Sequence, residues 1–194
     1  MTLKKVFLAG MLFILVGLSA HAQKVAIKSN LLYDATTTAN LGLEFKLGSR
    51  TTFDLPVNYN GWALFKDDKG IRDNRKWMHL LVQPELRFWT CESFTGHFWG
   101  IHAHYAYYNA GGFGPLKVLK DHRFEGWLAG AGLSYGYNWM LSPRWSIEAT
   151  IGLGYAFMDY EKFECYKCGE KLKDGTYHYF GPTKVGISLI YFLK

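Results

Sequence analysis

The sequence predicts an all-β fold: an eight-stranded antiparallel transmembrane β-barrel of the outer-membrane type, following a cleaved signal peptide. Three observations predict it. Apolar and polar residues alternate with a period of two in eight segments of about ten residues. Aromatic residues cluster at the segment ends, and the connections alternate between short and long.

Composition bounds the answer first. The 194 residues leave room for one domain or at most two, and 49% hydrophobic with 20% charged residues excludes a disordered chain. Aromatics at 18% and 21 Gly against 5 Pro favour strands and tight turns over a helical bundle. Three Cys are too few for a disulfide framework. The one long apolar run lies at the N-terminus, which excludes a polytopic helical membrane protein.

That run reads as a signal peptide over residues 1–22. Lys4 and Lys5 form a charged n-region, residues 6–18 an apolar h-region, and Ala20, His21 and Ala22 a small-x-small cleavage site. Thirteen apolar residues fall short of the ~20 that an uncleaved helical anchor needs. Removing 22 residues from 194 leaves a single β-barrel domain over 23–194, with 20 basic and 16 acidic side chains spread along it. Without a basic run, nucleic acid is not an expected partner.

The segments read in order as follows. The first, 25–34, is the least regular. In 41–47, Leu41, Leu43, Phe45 and Leu47 oppose Gly42, Glu44 and Lys46, and in 53–59, Phe53, Leu55, Val57 and Tyr59 oppose Asp54 and Asn58. In 78–88, Met78, Leu80, Val82, Leu86 and Phe88 alternate with His79, Gln83, Glu85 and Arg87, Pro84 falling on the apolar face. In 99–107, Trp99, Ile101, Ala103, Tyr105 and Tyr107 oppose Gly100, His102, His104 and Ala106. The Gly-rich segments 129–139 and 145–157 set Leu133, Tyr135 and Trp139, then Ile147, Ile151 and Leu153, against Gly, Ser134, Glu148 and Thr150. The last, 185–193, alternates Val185, Ile187, Leu189, Tyr191 and Leu193 with Lys184, Gly186 and Ser188.

A soluble β-sandwich would also alternate. Two features favour the barrel. Aromatics at the segment ends, among them Tyr59, Trp62, Trp77, Trp89, Trp99, Tyr108, Trp127, Trp139, Trp145 and Tyr179, suit two interfacial girdles. Connections 48–50, 90–96 and 141–144 are short, whereas 61–76, 109–123 and 159–178 are long and rich in Lys, Asp and Gly, as for periplasmic turns and external loops.

Four stretches carry a resemblance: KSNLLYDATTTANLGLEF over 28–45, FWTCESFTGHF over 88–98, GWLAGAGLSYGY over 126–137 and FGPTKVGISLI over 180–190. In this order they resemble the DUF3575 family, uncharacterised Bacteroidetes proteins expected to be outer-membrane β-barrels, some encoded near fimbrial genes. The resemblance covers essentially the whole mature chain and implies a barrel in the envelope of a Gram-negative bacterium. It implies no activity, substrate or catalytic residue.

The inward-facing polar set is Glu44, Lys46, His79, Glu85, Arg87, His102, His104 and Glu148. It reads either as a catalytic or conducting site or as a structural plug. An eight-stranded lumen is just wide enough for side chains to fill, and buried charges must pair, so the plug is expected. His102 and His104 share a strand face, but two ligands do not make a zinc site. Ser134 and Glu148 are only nominal members of a Ser, His and acid relay, and they point inward, away from lipid. Cys165 and Cys168 have the spacing of a local disulfide in an external loop, with Cys91 left as a free thiol across the membrane. No catalytic residue, metal or cofactor is therefore assigned. The expectation is a non-enzymatic envelope role, as scaffold or as adhesion- or fimbria-associated component, with outer-membrane lipid and an envelope or fimbrial protein as partners. The alternatives are a lipid-modifying barrel enzyme and a soluble periplasmic binding sandwich.

Overall fold

The computed structural model describes residues 25–61, 76–111, 122–164 and 170–193. The signal-peptide segment, Trp62, Cys165 and Cys168 lie outside them. The described residues form nine strands: β1 (Val25–Asn30), β2 (Ala39–Lys46), β3 (Thr51–Asn60), β4 (Lys76–Val82), β5 (Glu85–Trp89), β6 (Gly96–Gly111), β7 (His122–Met140), β8 (Trp145–Glu164) and β9 (Lys171–Leu193). A five-residue helix, α1 (Leu31–Ala35), links β1 to β2.

Every pairing is antiparallel, and β1 pairs with β9, so the sheet closes on itself and leaves no edge. Strands β4 and β5 both lie between β3 and β6 and form one stave interrupted at Pro84, which has no N–H for the ladder. Gln83 N donates to Pro56 O at 3.1 Å and Ala103 N to Pro84 O at 3.0 Å, carrying the pairing across the break. The barrel therefore has eight staves, as the periodicity predicts.

One end of the barrel carries three short turns, at 47–50, 90–95 and 141–144. We call it the turn end and the other the open end. In the turn between β5 and β6, Phe94 takes a left-handed φ of 71° and is buried, while Ser93 N donates to Ser49 O of the neighbouring turn at 2.9 Å.

The structure corrects the reading in three places. Residues 31–34 are helical rather than extended, because Asn30 caps the turn, its side chain accepting from Leu32 N at 3.1 Å. Much of the expected loop 159–178 is strand: β8 and β9, 20 and 23 residues long, pair with each other as far as Phe163 and Lys171, and β7 pairs with β8 as far as Glu164. Finally, four of the aromatics assigned to girdles face the lumen. Trp89 is 3% exposed inside the turn end, and Trp77, Tyr108 and Tyr179 line the open end from within. Trp77, His79, Arg87 and Trp89 share one strand parity, which the inward His79 and Arg87 already determine.

The outward face is apolar. Ile101, Leu133, Ile151, Leu153 and Val185 are all more than half exposed. Aromatic pairs flank this band. Trp99 with Tyr135, Tyr137 with Trp139, and Trp145 with Tyr191 lie towards the turn end, and Tyr105 with Trp127 and Trp127 with Phe157 towards the open end.

Candidate functional site

The inward faces stack in three layers. At the turn end a small apolar base is formed by Ala26, Trp89, Phe94, Phe98, Ile190 and Phe192. Trp89 and Phe98 rings lie 4.8 Å apart and Phe94 meets Phe192 edge-on at 5.2 Å. The one polar atom of the Trp89 ring is satisfied, Nε1 donating to Thr52 Oγ1 at 2.9 Å.

Above this base lies a buried charge network. Strand register sets Glu44 opposite Asp54 and Asp54 opposite Glu85, placing three carboxylates side by side on β2, β3 and β5. Like charges directly opposite one another repel. Arg87 resolves the conflict by touching four carboxylates. Its Nε lies 2.8 Å from Glu85, Nη1 3.0 Å from Glu44 and 2.9 Å from Glu148, and Nη2 2.8 Å from Asp54. Its guanidinium also sits 4.5 Å over the Phe98 ring, joining the network to the base. Lys28 Nζ bridges Glu44 and Glu148, each at 2.9 Å, and Lys184 Nζ reaches Glu85 at 2.6 Å.

Hydroxyl donors complete the carboxylate shells. Thr52 donates to Glu44 at 2.5 Å, Thr150 to Glu148 at 3.0 Å, and Ser134 to Glu85. Gly100 is required here, since a Cβ at that position would collide with both Glu85 and Ser134. A polar void of about 40 Å³ adjoins the network and is lined in part by Asp54, whose Oδ1 has no partner among the described residues. It is large enough for a water molecule.

The third layer begins where β9 bulges at Pro182 and Thr183. Leu153 pairs with Pro182 but Gly152 with Lys184, so the bulge reverses the inward parity of β9 above this point. Thr183 is drawn into the lumen, its Oγ1 2.9 Å from His102 Nε2 and its carbonyl accepting from Gln83 Nε2 at 3.0 Å. Above this shelf the lumen opens into a cavity of about 460 Å³. Leu81, Ala106, Ala110, Leu128, Ala156 and Met158 form its apolar walls, and Gln83, His104 and Thr183 are its polar members at the shelf. Tyr33 of α1 is among the lining residues, and burial holds its phenol above the ordinary value.

The eight residues singled out in the sequence divide among these layers. Glu44, Glu85, Arg87 and Glu148 enter the network. His102 joins the shelf. His79 and His104 line the cavity. Lys46 stays at the turn-end rim, a quarter exposed and 3.8 Å from Glu92. Lys28, Asp54 and Lys184 complete the network without being among the eight. The period-two pattern carries a signal for Asp54 and Lys184, each of which alternates with the apolar face of its segment just as Glu44 does.

A nucleophilic relay does not assemble. Ser134 donates to Glu85, His102 pairs with Thr183, and Glu148 is taken up by Lys28, Arg87 and Thr150. Among the described residues no group of three or more His, Cys, Asp or Glu side chains could hold a metal ion. Cys91 is an exposed free thiol in the turn after β5.

A family model described as protein of unknown function (DUF3575) matches residues 8–193. No curated protein and no solved structure matches the chain.

Proposed function

We propose, from the premise that the chain belongs to the DUF3575 family of proteins of unknown function, that it is an integral outer-membrane barrel with a non-enzymatic envelope role. The observation that carries the proposal is the exposed apolar band around a closed barrel whose lumen holds a buried ionic layer. Along β8, Trp145 and Tyr155 are ten residues apart. At about 3.3 Å per residue and a tilt of about 40°, that spans roughly 25 Å, the height of a transmembrane apolar band. So large an apolar surface in water would drive association.

Beyond this band the β8–β9 hairpin turns charged, with Asp159, Glu161, Lys162, Lys171 and Asp174, and Lys171 bridges to Glu161 at 2.6 Å. Such a charged hairpin at the open end, braced by β7, suits contact with an envelope or fimbrial protein. The ionic plug resting on an apolar base suits a scaffold and leaves no continuous aqueous path for a pore. This reading also takes the signal peptide as cleaved and bilayer lipid as the partner of the apolar band.

Cell fractionation tests it. The chain is expected in the outer-membrane fraction, extracted only by detergent and migrating heat-modifiably on a gel. Ile151→Arg, on the lipid face near the midplane, should impair assembly by about 2–4 kcal/mol. Recovery in the soluble periplasmic fraction would refute the proposal.

A further inference from the structure

We infer that the open-end cavity is a binding site for a single-chain apolar molecule bearing one hydrogen-bonding end group, the class of fatty acids and fatty alcohols. The site follows from the barrel interior alone and stands whether or not the outer hairpin engages a partner.

Three observations carry it. First, the cavity measures about 460 Å³ and its walls are small or flexible apolar side chains, Ala106, Ala110, Ala156 and Met158 among them. An apolar cavity of about 150 Å³ holds benzene, so by proportion this one takes roughly 18 non-hydrogen atoms. Second, the cavity runs deep along the barrel. Its lining runs from Gln83 to Trp77 on one stave and from His104 to Ala110 on the next. Those six-residue spans make about 20 Å of strand and about 15 Å of axis at the usual tilt. That depth suits an extended chain laid along the axis.

Third, the floor holds an unused polar group. His104 is only 5% exposed, lines the cavity, and its Nδ1 has no hydrogen-bond partner among the described residues. A buried polar atom left unpaired costs about 1–3 kcal/mol. A carboxyl or hydroxyl end group reaching the floor would pair with the imidazole, a turn of the ring about Cβ–Cγ bringing Nδ1 to the cavity, while its chain lies along the apolar walls. Gly130 is what makes room for this ring, since a Cβ there would lie 2.5 Å from His104 Nε2.

Photo-crosslinking separates this site from lipid contact on the outer face. The mature chain in lipid nanodiscs is labelled with hexadecanoic acid carrying a diazirine at its terminal carbon, and the crosslinks are mapped by mass spectrometry. Crosslinks are expected on inward cavity residues such as Leu128 and Met158, and excess unlabelled acid should suppress them. The paired substitution Ala106→Phe with Ala156→Phe should reduce them at least tenfold while labelling of Leu133 and Ile151 outside is unchanged. His104→Leu should weaken inner labelling about tenfold.

A second arm places the diazirine on a phospholipid acyl chain. Inner labelling from the free acid alone identifies a free chain as the ligand, and inner labelling from both probes identifies a bilayer chain. Crosslinks confined to the outer face, or inner labelling indifferent to the paired phenylalanines, would overturn the site. Inner labelling unchanged in His104→Leu would overturn the role of the end group.

Discussion

The two halves of this lumen are filled in opposite ways although the same staves build both. Towards the turn end, inward positions carry Lys28, Glu44, Asp54, Glu85, Arg87, Glu148 and Lys184, packed until each charge meets an opposite one. Towards the open end, inward positions on β6 and β8 carry Ala106, Ala110 and Ala156, too small to meet across the barrel, and a cavity remains. Barrel diameter is set by stave number and is the same for both halves. What differs is side-chain volume on one face of the strands, so a plugged and a hollow compartment can coexist in one eight-stranded wall.

The sharpest way to break that contrast is to remove Arg87, the one cation that contacts Glu44, Asp54, Glu85 and Glu148 together. Arg87→Ala leaves four buried carboxylates to two lysines, and stranding buried charge costs about 3–5 kcal/mol. Arg87→Lys keeps the charge but not the planar fork that reaches several oxygens at once, so it should fall between wild type and Ala. Denaturant unfolding in vesicles, followed by tryptophan fluorescence and heat modifiability, measures both. A loss below about 1 kcal/mol for Arg87→Ala would show that the carboxylates do not depend on it.

Much of this contrast was legible before the structure. Stave number, the faces of most segments and four members of the network followed from the period of two alone, because side-chain direction in a strand needs no tertiary information. Lys28 was obscured because its segment runs into α1 after only six extended residues. Lys184 shares the inward parity of Gly186 and Ser188, but alternation does not say that its ammonium reaches Glu85 across the lumen. Parity alone turns Trp77, Trp89 and Tyr108 inward despite their places at segment ends, whereas Tyr179 turns inward only because the bulge shifts the phase of β9. The cavity was the least legible feature. Ala106 was visible as an inward residue, but emptiness depends on what faces it across the barrel, and alternation does not encode that.

The apolar base offers a milder break. Phe98 is fully buried, packs against Trp89 and lies under the Arg87 guanidinium. Phe98→Ala should cost about 3 kcal/mol, through the lost ring and the void it leaves. Phe98→Leu should recover most of that, keeping apolar volume while losing only the guanidinium stacking. Thermal unfolding of both variants, read beside Arg87→Ala, tells whether base and network form one cooperative unit. If Phe98→Ala and Arg87→Ala together cost the simple sum of the singles, the two layers are energetically independent.

The smallest effect is expected at the open end, where the comparison is sharpened rather than broken. Introducing a large residue into a packed core typically costs 1–3 kcal/mol, because neighbours are forced off their rotamers. Ala156 is 3% exposed and by burial alone counts as core, yet it lines the 460 Å³ cavity. Ala156→Phe can therefore place its ring in existing space. Its unfolding free energy should stay within about 1 kcal/mol of wild type, and the added apolar burial opposes any residual strain. A bulky substitution in the charge layer has no such space, since a Cβ on Gly100 already collides with Glu85 and Ser134. Parallel denaturation of Ala156→Phe and Gly100→Val makes the test. Equal destabilisation of the two would mean that the upper compartment is as tightly filled as the lower, and the hollow half of the comparison would fall.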